Sequence, residues 1–267
     1  MRPRAVALPM YPLSAAARHG FGEFLLPRLA RAGFAPLPPR LVSPGDPHRH
    51  WLRPDLALSQ TCGYPLVTEL AGRVQLLGGF AYSAPGCSGV HYRSVLLVRA
   101  DYAGAGLADL RGAVAVYNDR RSQSGYNALR AAIAPLACQG RFFSASLASG
   151  SHLASARMVA AGAADIAAVD CVSYALLRQR HPRWFAGLRV IGATPATPGL
   201  PLISARQTRP RQLEDLCAML DELAHSRATR PLRRQLGISG FQRLTLDDYQ
   251  VCLQQQQMAA RLGVVGL

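Results

Sequence analysis

The sequence predicts an α/β protein of two lobes, each built on a mostly parallel sheet. Short apolar runs typical of strands alternate with amphipathic stretches along most of the 267 residues, and this alternation favours βαβ units. Apolar residues make up 49% of the chain, which is enough for two cores. Two stretches, residues 89–94 and 188–204, look like crossings between blocks, as a hinged two-lobed protein requires.

The expected strands and helices follow from these patterns. Strands are predicted where short apolar runs occur, at 5–10, 55–59, 74–80, 94–99, 113–117, 142–147, 164–169, 188–193 and 201–205. Helices are predicted where apolar residues have helical spacing, at 14–32, 126–135, 151–161, 171–180, 210–225 and 246–262. The crossings divide the chain into a discontinuous first lobe, 1–94 plus 191–267, and a second lobe, 95–190. A ligand is expected to close the lobes about the two linkers.

The charge excludes several classes of protein. The net charge is +15, and every one of the 30 basic residues is Arg, so no P-loop lysine or Schiff-base lysine exists. A basic protein attracts anions, but the Arg residues are scattered, so no nucleic-acid partner is expected. No apolar run approaches the roughly 18 residues that span a bilayer, and no membrane insertion is predicted.

The six cysteines do not indicate a metal site. No pair has CxxC spacing, and none stands at ligand spacing from a His, so neither a metal nor a cofactor is predicted. Cys138, Cys217 and Cys252 fall in helical apolar patterns and are interpreted as buried thiols. Cys62 and Cys87 lie in predicted loops, and whether they pair is left open.

The strongest functional signal is a pair of Ser-rich helix starts. Ser122, Ser124 and Gly125 follow the strand 113–117, and Ser151 with His152 follows the strand 142–147. Helix N-termini attract anions through their N–H groups and dipole, although Ser there could simply cap the helix. A protonated His would strengthen the attraction. Adjacent βα units converge at the carboxyl ends of their strands, so one anion is expected to contact both.

Four other residues are candidates for ligand contact. Asp170 ends the predicted strand 164–169 and could either cap the next helix or bind a cationic or hydroxyl group. Thr61 follows the strand 55–59, and Tyr11 follows the first strand. Tyrosines such as Tyr11 and Tyr92 combine an apolar face with a polar tip, which suits a closing cleft, although Tyr11 could equally pack on the lobe surface.

Seven segments, taken together in their order along the chain, resemble the phosphate/phosphonate-type substrate-binding family of ABC transporters, over about residues 5–206. The segments that carry the resemblance are 59–65, Tyr82 with 84–87, Tyr92 with Ser94, 109–112, 122–125, 150–152 and 162–170. The resemblance implies a type II periplasmic-binding fold and delivery of a small anionic ligand to an ABC importer. It further implies that Ser122, Ser124 and His152 hold the anionic group, that Tyr92 lines the cleft, and that Asp170 faces the amino end of an aminophosphonate.

The function predicted is therefore that of a monomeric solute-binding protein with an ABC permease as partner and without catalysis. No Gly-x-Ser-x-Gly elbow and no suitably spaced acid pair indicate an enzyme. A cytoplasmic ligand sensor and an enzyme related to those of pyrimidine synthesis are the alternatives on the same fold. The resemblance predicts a periplasmic location. The start at Met1 shows no export signal, so a cytoplasmic location is also left open.

Overall fold

The computed structural model describes residues 3–267, and it confirms the α/β class. Met1 and Arg2, on which the expectation about an export signal partly rests, lie outside the described residues. The strands are β1 Ala5–Val6, β2 Leu56–Gln60, β3 Val74–Tyr82, β4 His91–Tyr92, β5 Ser94–Arg99, β6 Val114–Tyr117, β7 Ala145–Ala148, β8 Ile166–Asp170, β9 Leu188–Ala193, β10 Thr197–Pro198, β11 Pro201–Ala205 and β12 Ile238–Gln242. The α-helices are α1 Ala15–Leu29, α2 Pro47–Trp51, α3 Gly63–Thr68, α4 Ala128–Ile133, α5 His152–Ala160, α6 Cys171–Arg180, α7 Pro182–Phe185, α8 Pro210–His225, α9 Arg230–Leu236 and α10 Gln250–Arg261.

The chain divides into two compact units. The first unit contains the residues up to Ser83, Ser88–Val90 and Pro198–Asp248, and the second contains Ala84–Cys87, His91–Thr197 and Tyr249–Leu267. This differs from the expected lobes 1–94 plus 191–267 and 95–190, because the tail from Tyr249 belongs to the second unit. The whole C-terminal part was placed in the first lobe, because the two predicted crossings do not show that the chain returns once more to the second unit. In fact Ala259 and Val264 pack into the same core as Leu129 and Ile133 of α4.

The first unit is built on a five-stranded sheet in the order β1-β2-β11-β3-β12. Only β1 and β2 pair in parallel, whereas β11 runs antiparallel to both its neighbours and β12 antiparallel to β3. The sequence prediction missed β12, which is only five residues long and contains Gly240. Its pairing with β3 completes the edge of the sheet.

The second unit is built on a five-stranded sheet in the order β7-β6-β8-β5-β9. The pairs β6–β7 and β6–β8 are parallel, and the pairs β5–β8 and β5–β9 are antiparallel. The expectation of mostly parallel sheets was therefore wrong in detail. The βα alternation predicts parallel neighbours, but it does not show that a strand beside a crossing enters the sheet in the opposite direction, as β5 does between β8 and β9.

The central strands β5, β6 and β8 of the second unit's sheet are covered on both faces, which explains their continuous apolar runs. Along β8, Ile166 and Ala168 pack into one core with α4, and Ala167 and Val169 pack into the other with α5. This is the alternation expected of a strand. A separate two-stranded sheet joins β4 and β10.

Within residues 3–267, no helix has the length and apolar character needed to cross a membrane.

Candidate functional site

Three strands of the second unit end at one edge of its sheet. Tyr117 of β6 lies opposite Ala148 of β7 in a parallel pair, and β6 is also parallel to β8. The segments that follow these strands therefore lie close together. They are residues 118–127 after β6, residues 149–152 after β7, and Asp170 at the end of β8.

The segment after β6 forms a compact turn held by serine hydroxyls. The Ser122 Oγ accepts a hydrogen bond from the Gly125 N–H at 3.0 Å, which caps the single π-helical turn Gln123–Asn127. The Ser122 and Ser124 hydroxyl oxygens are 3.3 Å apart. Both side chains are buried, so the hydroxyls are held in place before any ligand binds.

His152 joins this turn from the neighbouring βα unit. It is the first residue of α5, and its Nε2 lies 2.9 Å from the Ser124 Oγ. The prediction that the two Ser-rich helix starts converge is confirmed for this pair. Burial lowers the pKa of His152 to about 4, so the ring is neutral at pH 7. The stronger attraction of an anion that was expected of His152 requires a protonated ring, and that condition is not met near neutral pH.

Gly125 allows the backbone to pass close to the side chains of Asn118 and His152. A Cβ at this position would lie 1.9 Å from the Asn118 Oδ1 and 3.3 Å from the His152 Cε1. The Asn118 Oδ1 and the His152 Nδ1 are buried and have no hydrogen-bond partner among the described residues. Such atoms each cost about 1–3 kcal/mol when they stay unpaired. Asn118 was missed at the sequence level because it lies in a turn, where Asn is common.

The serines before α5 have local roles. The Ser151 Oγ accepts from the Ala154 N–H at 3.1 Å and so caps α5, and the side chain of Ser151 is exposed. The Ser149 Oγ lies 2.7 Å from the Ser155 Oγ and donates to the Tyr117 carbonyl at 3.2 Å. Of the two interpretations of Ser151, the structure therefore displays the helix cap, and its contact with a ligand stays a prediction.

Asp170 stands at the same edge and caps α6. Its Oδ1 accepts from the Ser173 N–H at 2.8 Å, and the residue is buried. In the antiparallel pair with β5, Asp170 lies opposite Ser94. The Ser94 Oγ is buried and has no hydrogen-bond partner in the described part of the chain. Both a cap and a polar neighbourhood are thus present, and ligand binding by Asp170 stays a prediction.

The remaining candidates are buried residues in or beside strands. In the first unit, Thr61 follows β2 with its Oγ1 buried and without a partner among residues 3–267. Tyr11 packs edge-to-face on Tyr82 with ring centroids 5.2 Å apart, as the packing interpretation expected. Tyr92 belongs to β4 and is counted with the second unit. The structure thus brings together Ser122, Ser124, Gly125 and His152, and it places Tyr11 and Thr61 in the other unit.

Comparison with known proteins identifies the family. A family model described as "ABC transporter, phosphonate, periplasmic substrate-binding protein" matches residues 53–249, which is more than half of the chain. This chain belongs to that family. The resemblance found in the sequence is thereby confirmed. A comparison with curated protein sequences found no match.

Solved structures of this type share the fold at low sequence identity. A binding-protein component of an ABC phosphonate transporter from Pseudomonas aeruginosa is 17% identical, with a TM-score of 0.76 over 98% of this chain and 88% of that one. PhnD1 from Prochlorococcus marinus, in complex with methylphosphonate, is 13% identical, with a TM-score of 0.76 over 98% and 100%. A Xanthomonas citri protein bound to ATP is 17% identical, with a TM-score of 0.71 over 97% and 98%. These matches confirm the two-lobed type II fold.

A buried polar network that the sequence did not predict supports the turn from behind. The Gln123 Nε2 donates to the Gln255 Oε1 of α10 at 2.6 Å. The Asn127 Nδ2 donates to the Gln123 Oε1 at 2.8 Å and to the Cys252 carbonyl at 2.9 Å. The Arg130 Nη2 donates to the Asn127 Oδ1 at 2.7 Å. The turn is thus anchored to α10, the helix that contains Cys252 and Gln255. Cys252 lies 125 residues beyond Asn127 in the sequence.

The cysteines differ from expectation in two respects. Cys217 and Cys252 are buried as predicted, but Cys138 is exposed because it lies after the helical segment, in a bridge with Arg141. The sulfur of Cys87, whose pairing with Cys62 was left open, lies 3.4 Å from the sulfur of Cys171. Within the described residues, no group of three or more His, Cys, Asp or Glu side chains is arranged to hold a metal ion.

The partly buried His152 predicts a pH dependence of stability. Its pKa falls from 6.5 to about 4 on folding, because burial disfavours the charged ring. The unfolded chain therefore binds more protons between pH 4 and 6.5, and the free energy of unfolding should fall by up to about 3 kcal/mol as the pH drops through that window. Above pH 6.5 this group should have no effect.

Urea unfolding between pH 4 and 8 measures this effect. His152→Asn should flatten the pH profile between 4 and 6.5. The buried His50, whose pKa is also lowered by burial to about 4, should contribute the slope that is left. His19→Asn, at a side chain that is 74% exposed, is the matched control and should keep the wild-type slope. An unchanged slope in His152→Asn would show that this residue does not titrate as described.

Proposed function

We propose that this protein is a periplasmic solute-binding protein that captures a phosphonate, or a closely related tetrahedral oxyanion, and delivers it to an ABC permease. The observation that carries the proposal is the contact between Ser124 and His152, which joins the loops of two adjacent parallel strands. Family membership supports transport rather than catalysis or sensing. The protein is further proposed to act as a monomer.

The chemistry of the turn suits an oxyanion. The hydroxyl groups of Ser122 and Ser124 and a neutral imidazole can each donate a hydrogen bond. The π-helical turn adds backbone N–H groups at the start of a helical segment, where negative charge is favoured. The unpaired His152 Nδ1 and Asn118 Oδ1 belong to side chains that lie close to Gly125, so a polar ligand or its water shell would relieve their desolvation cost.

The overall charge supports the same class of ligand. The net charge of +15 attracts anions over a distance, whereas the turn itself offers oriented neutral donors. Long-range attraction raises the rate of association, and fixed donors determine which anion stays bound.

Ser151, Gly125 and Tyr92 are proposed as further ligand contacts from the second unit. Tyr11 and Thr61 are proposed as ligand contacts from the first unit.

Asp170 is proposed to bind the end of the ligand opposite its phosphonate group and so to discriminate between ligands. A buried carboxylate would bind an ammonium group on the ligand, as an aminoalkylphosphonate carries. Asp170→Asn should therefore weaken binding of an aminoalkylphosphonate and leave methylphosphonate unaffected or slightly favoured. Asp170 also caps α6. Asparagine is chosen as the replacement because its side-chain oxygen can still accept the hydrogen bond from the Ser173 N–H. Equal losses for both ligands would contradict this selective role.

Calorimetric titration tests the proposed function directly. Wild-type protein should bind methylphosphonate or an aminoalkylphosphonate, and its thermal midpoint should rise with ligand concentration. Ser124→Ala and His152→Ala should each weaken binding roughly 10- to 100-fold, since a hydrogen bond to a charged group contributes about 1.5–3 kcal/mol. Ser144→Ala, an exposed serine that donates to the Ala113 carbonyl, is the control and should bind normally.

Two results would count against the proposal. The first is the absence of any thermal shift with phosphonates, phosphate, phosphite and sulfate alike. The second is normal affinity in both Ser124→Ala and His152→Ala, which would mean that these residues only hold the ends of their helices.

A further inference from the structure

Two cysteines of the second unit lie in contact beside the proposed ligand site. Cys87 ends a short turn in which its N–H donates to the Ala84 carbonyl at 2.9 Å. Cys171 is the first residue of α6, directly after Asp170. The two sulfur atoms are 3.4 Å apart, although the residues are 84 positions apart in the sequence. The second unit therefore holds two thiols in position to react with each other.

The close approach depends on Gly86. This residue has φ +97°, a conformation that residues with a Cβ rarely adopt, and a Cβ there would lie 3.2 Å from the Cys171 Cβ and 3.3 Å from its Sγ. A glycine is thus needed both for the backbone turn and for the space beside Cys171. The contact between the sulfurs is a consequence of how the 84–87 turn is built.

The two thiols differ in exposure and acidity. Cys87 is half-buried, whereas Cys171 is fully buried. The pKa of Cys171 is lowered, first because the Cys87 thiol can donate a hydrogen bond to its sulfur. The same contact raises the pKa of Cys87. Cys87 is therefore the thiol that an external reagent reaches, and Cys171 is the one that more readily becomes a thiolate.

We propose that Cys87 and Cys171 form an intramolecular disulfide that fixes the 84–87 turn against the start of α6, next to Asp170. The proposal rests on the periplasmic location proposed above, because disulfides persist in oxidising compartments. The oxidant is a disulfide donor, either a small-molecule disulfide or a thiol oxidase of that compartment.

The reaction balances as thiol–disulfide exchange. The Cys87 thiol loses its proton and attacks the donor disulfide, which gives a mixed disulfide on Cys87 and releases one donor thiol. The Cys171 thiolate then attacks the Cys87 sulfur, forms the new S–S bond and displaces the second donor thiol. Two electrons pass from the cysteine pair to the donor, and the two protons leave with the donor thiols.

The disulfide should stabilise the second unit. A cross-link over a loop of this length removes conformational entropy from the unfolded chain. A rise in Tm of about 5–15 °C over the reduced protein is therefore expected for a chain of this size. Holding the start of α6 would also keep the Asp170 carboxylate in place.

The experiment uses full-length wild-type protein, first reduced and then treated with oxidised glutathione. Intact mass should show the loss of two hydrogen atoms, and peptide mapping should join Cys87 to Cys171. Cys87→Ser and Cys171→Ser should each prevent this cross-link. Cys138→Ser, at an exposed cysteine of the same unit, is the matched control and should cross-link normally.

Three outcomes would overturn the inference. They are alkylation of both cysteines after oxidation, a stable glutathione adduct on Cys87, and a cross-link that does not raise the Tm. None of these measurements uses a ligand. A failure of the cross-link is therefore distinguishable from a failure of the proposed phosphonate binding, which the titrations measure.

Discussion

Gly125→Ala should reduce the affinity for a phosphonate by more than about 100-fold, the loss expected when two hydrogen bonds to a charged group disappear. The alanine Cβ would lie 1.9 Å from the Asn118 Oδ1 and 3.3 Å from the His152 Cε1. Either the Asn118 side chain or the turn itself must then move. Because Gly125 donates to Ser122 and Ser122 contacts Ser124, a shift of the turn would displace both hydroxyls.

Calorimetric titration of Gly125→Ala is compared with Gly187→Ala, at a glycine of the same unit where an added Cβ meets nothing within 4 Å. The control should bind normally. The double variant Asn118→Ala/Gly125→Ala removes the side chain that is closest to the alanine Cβ. Its Tm should therefore equal that of the wild-type protein, whatever its affinity for the ligand. Wild-type affinity in Gly125→Ala alone would show that the close approach of the backbone is not needed for binding.

Asn127→Leu should lower the free energy of unfolding by about 3–5 kcal/mol, because it breaks a buried network with a charged member. The leucine would leave the Gln123 side-chain oxygen, the Cys252 backbone carbonyl and the Arg130 guanidinium without their hydrogen bonds to Asn127. Asn127 is fully buried, so water would not easily replace them. Ligand affinity should fall as well, since the network holds the turn that carries Ser124.

Urea unfolding measures this loss, and α10 offers a matched pair for the same network. Gln255 is buried and bonded to Gln123, whereas Gln254 is exposed on the same helix. Gln255→Leu should destabilise by about 1–3 kcal/mol, and Gln254→Leu should change the free energy of unfolding by less than about 0.5 kcal/mol. Similar effects of the two substitutions would contradict the anchoring role of α10.

The part of the site that could be predicted from sequence rests on local rules. A Ser at a helix start after a strand is visible as a pattern, and adjacent parallel strands bring such starts together. This is why the meeting of Ser124 and His152 could be expected. The caps at Ser122, Ser151 and Asp170 follow from the same local chemistry.

The part that could not be predicted depends on contacts between distant segments. Gln123 looks like a turn residue in the sequence, but its side chain is fully buried against Gln255, 132 positions away. Likewise, the amphipathic pattern of α10 shows that one face is buried but not which unit covers it. The neutral state of His152 also follows only from its surroundings, because an isolated His would titrate near 6.5.

The central claim is that the turn after β6 and the start of α5 together hold the anionic group. A crystal structure with bound methylphosphonate tests this most directly. We expect the phosphonate oxygens to lie within hydrogen-bonding distance of Ser122, Ser124 and His152, with backbone N–H groups of the 122–125 turn completing their coordination. A bound methylphosphonate whose phosphonate group contacts none of these three side chains would contradict the account.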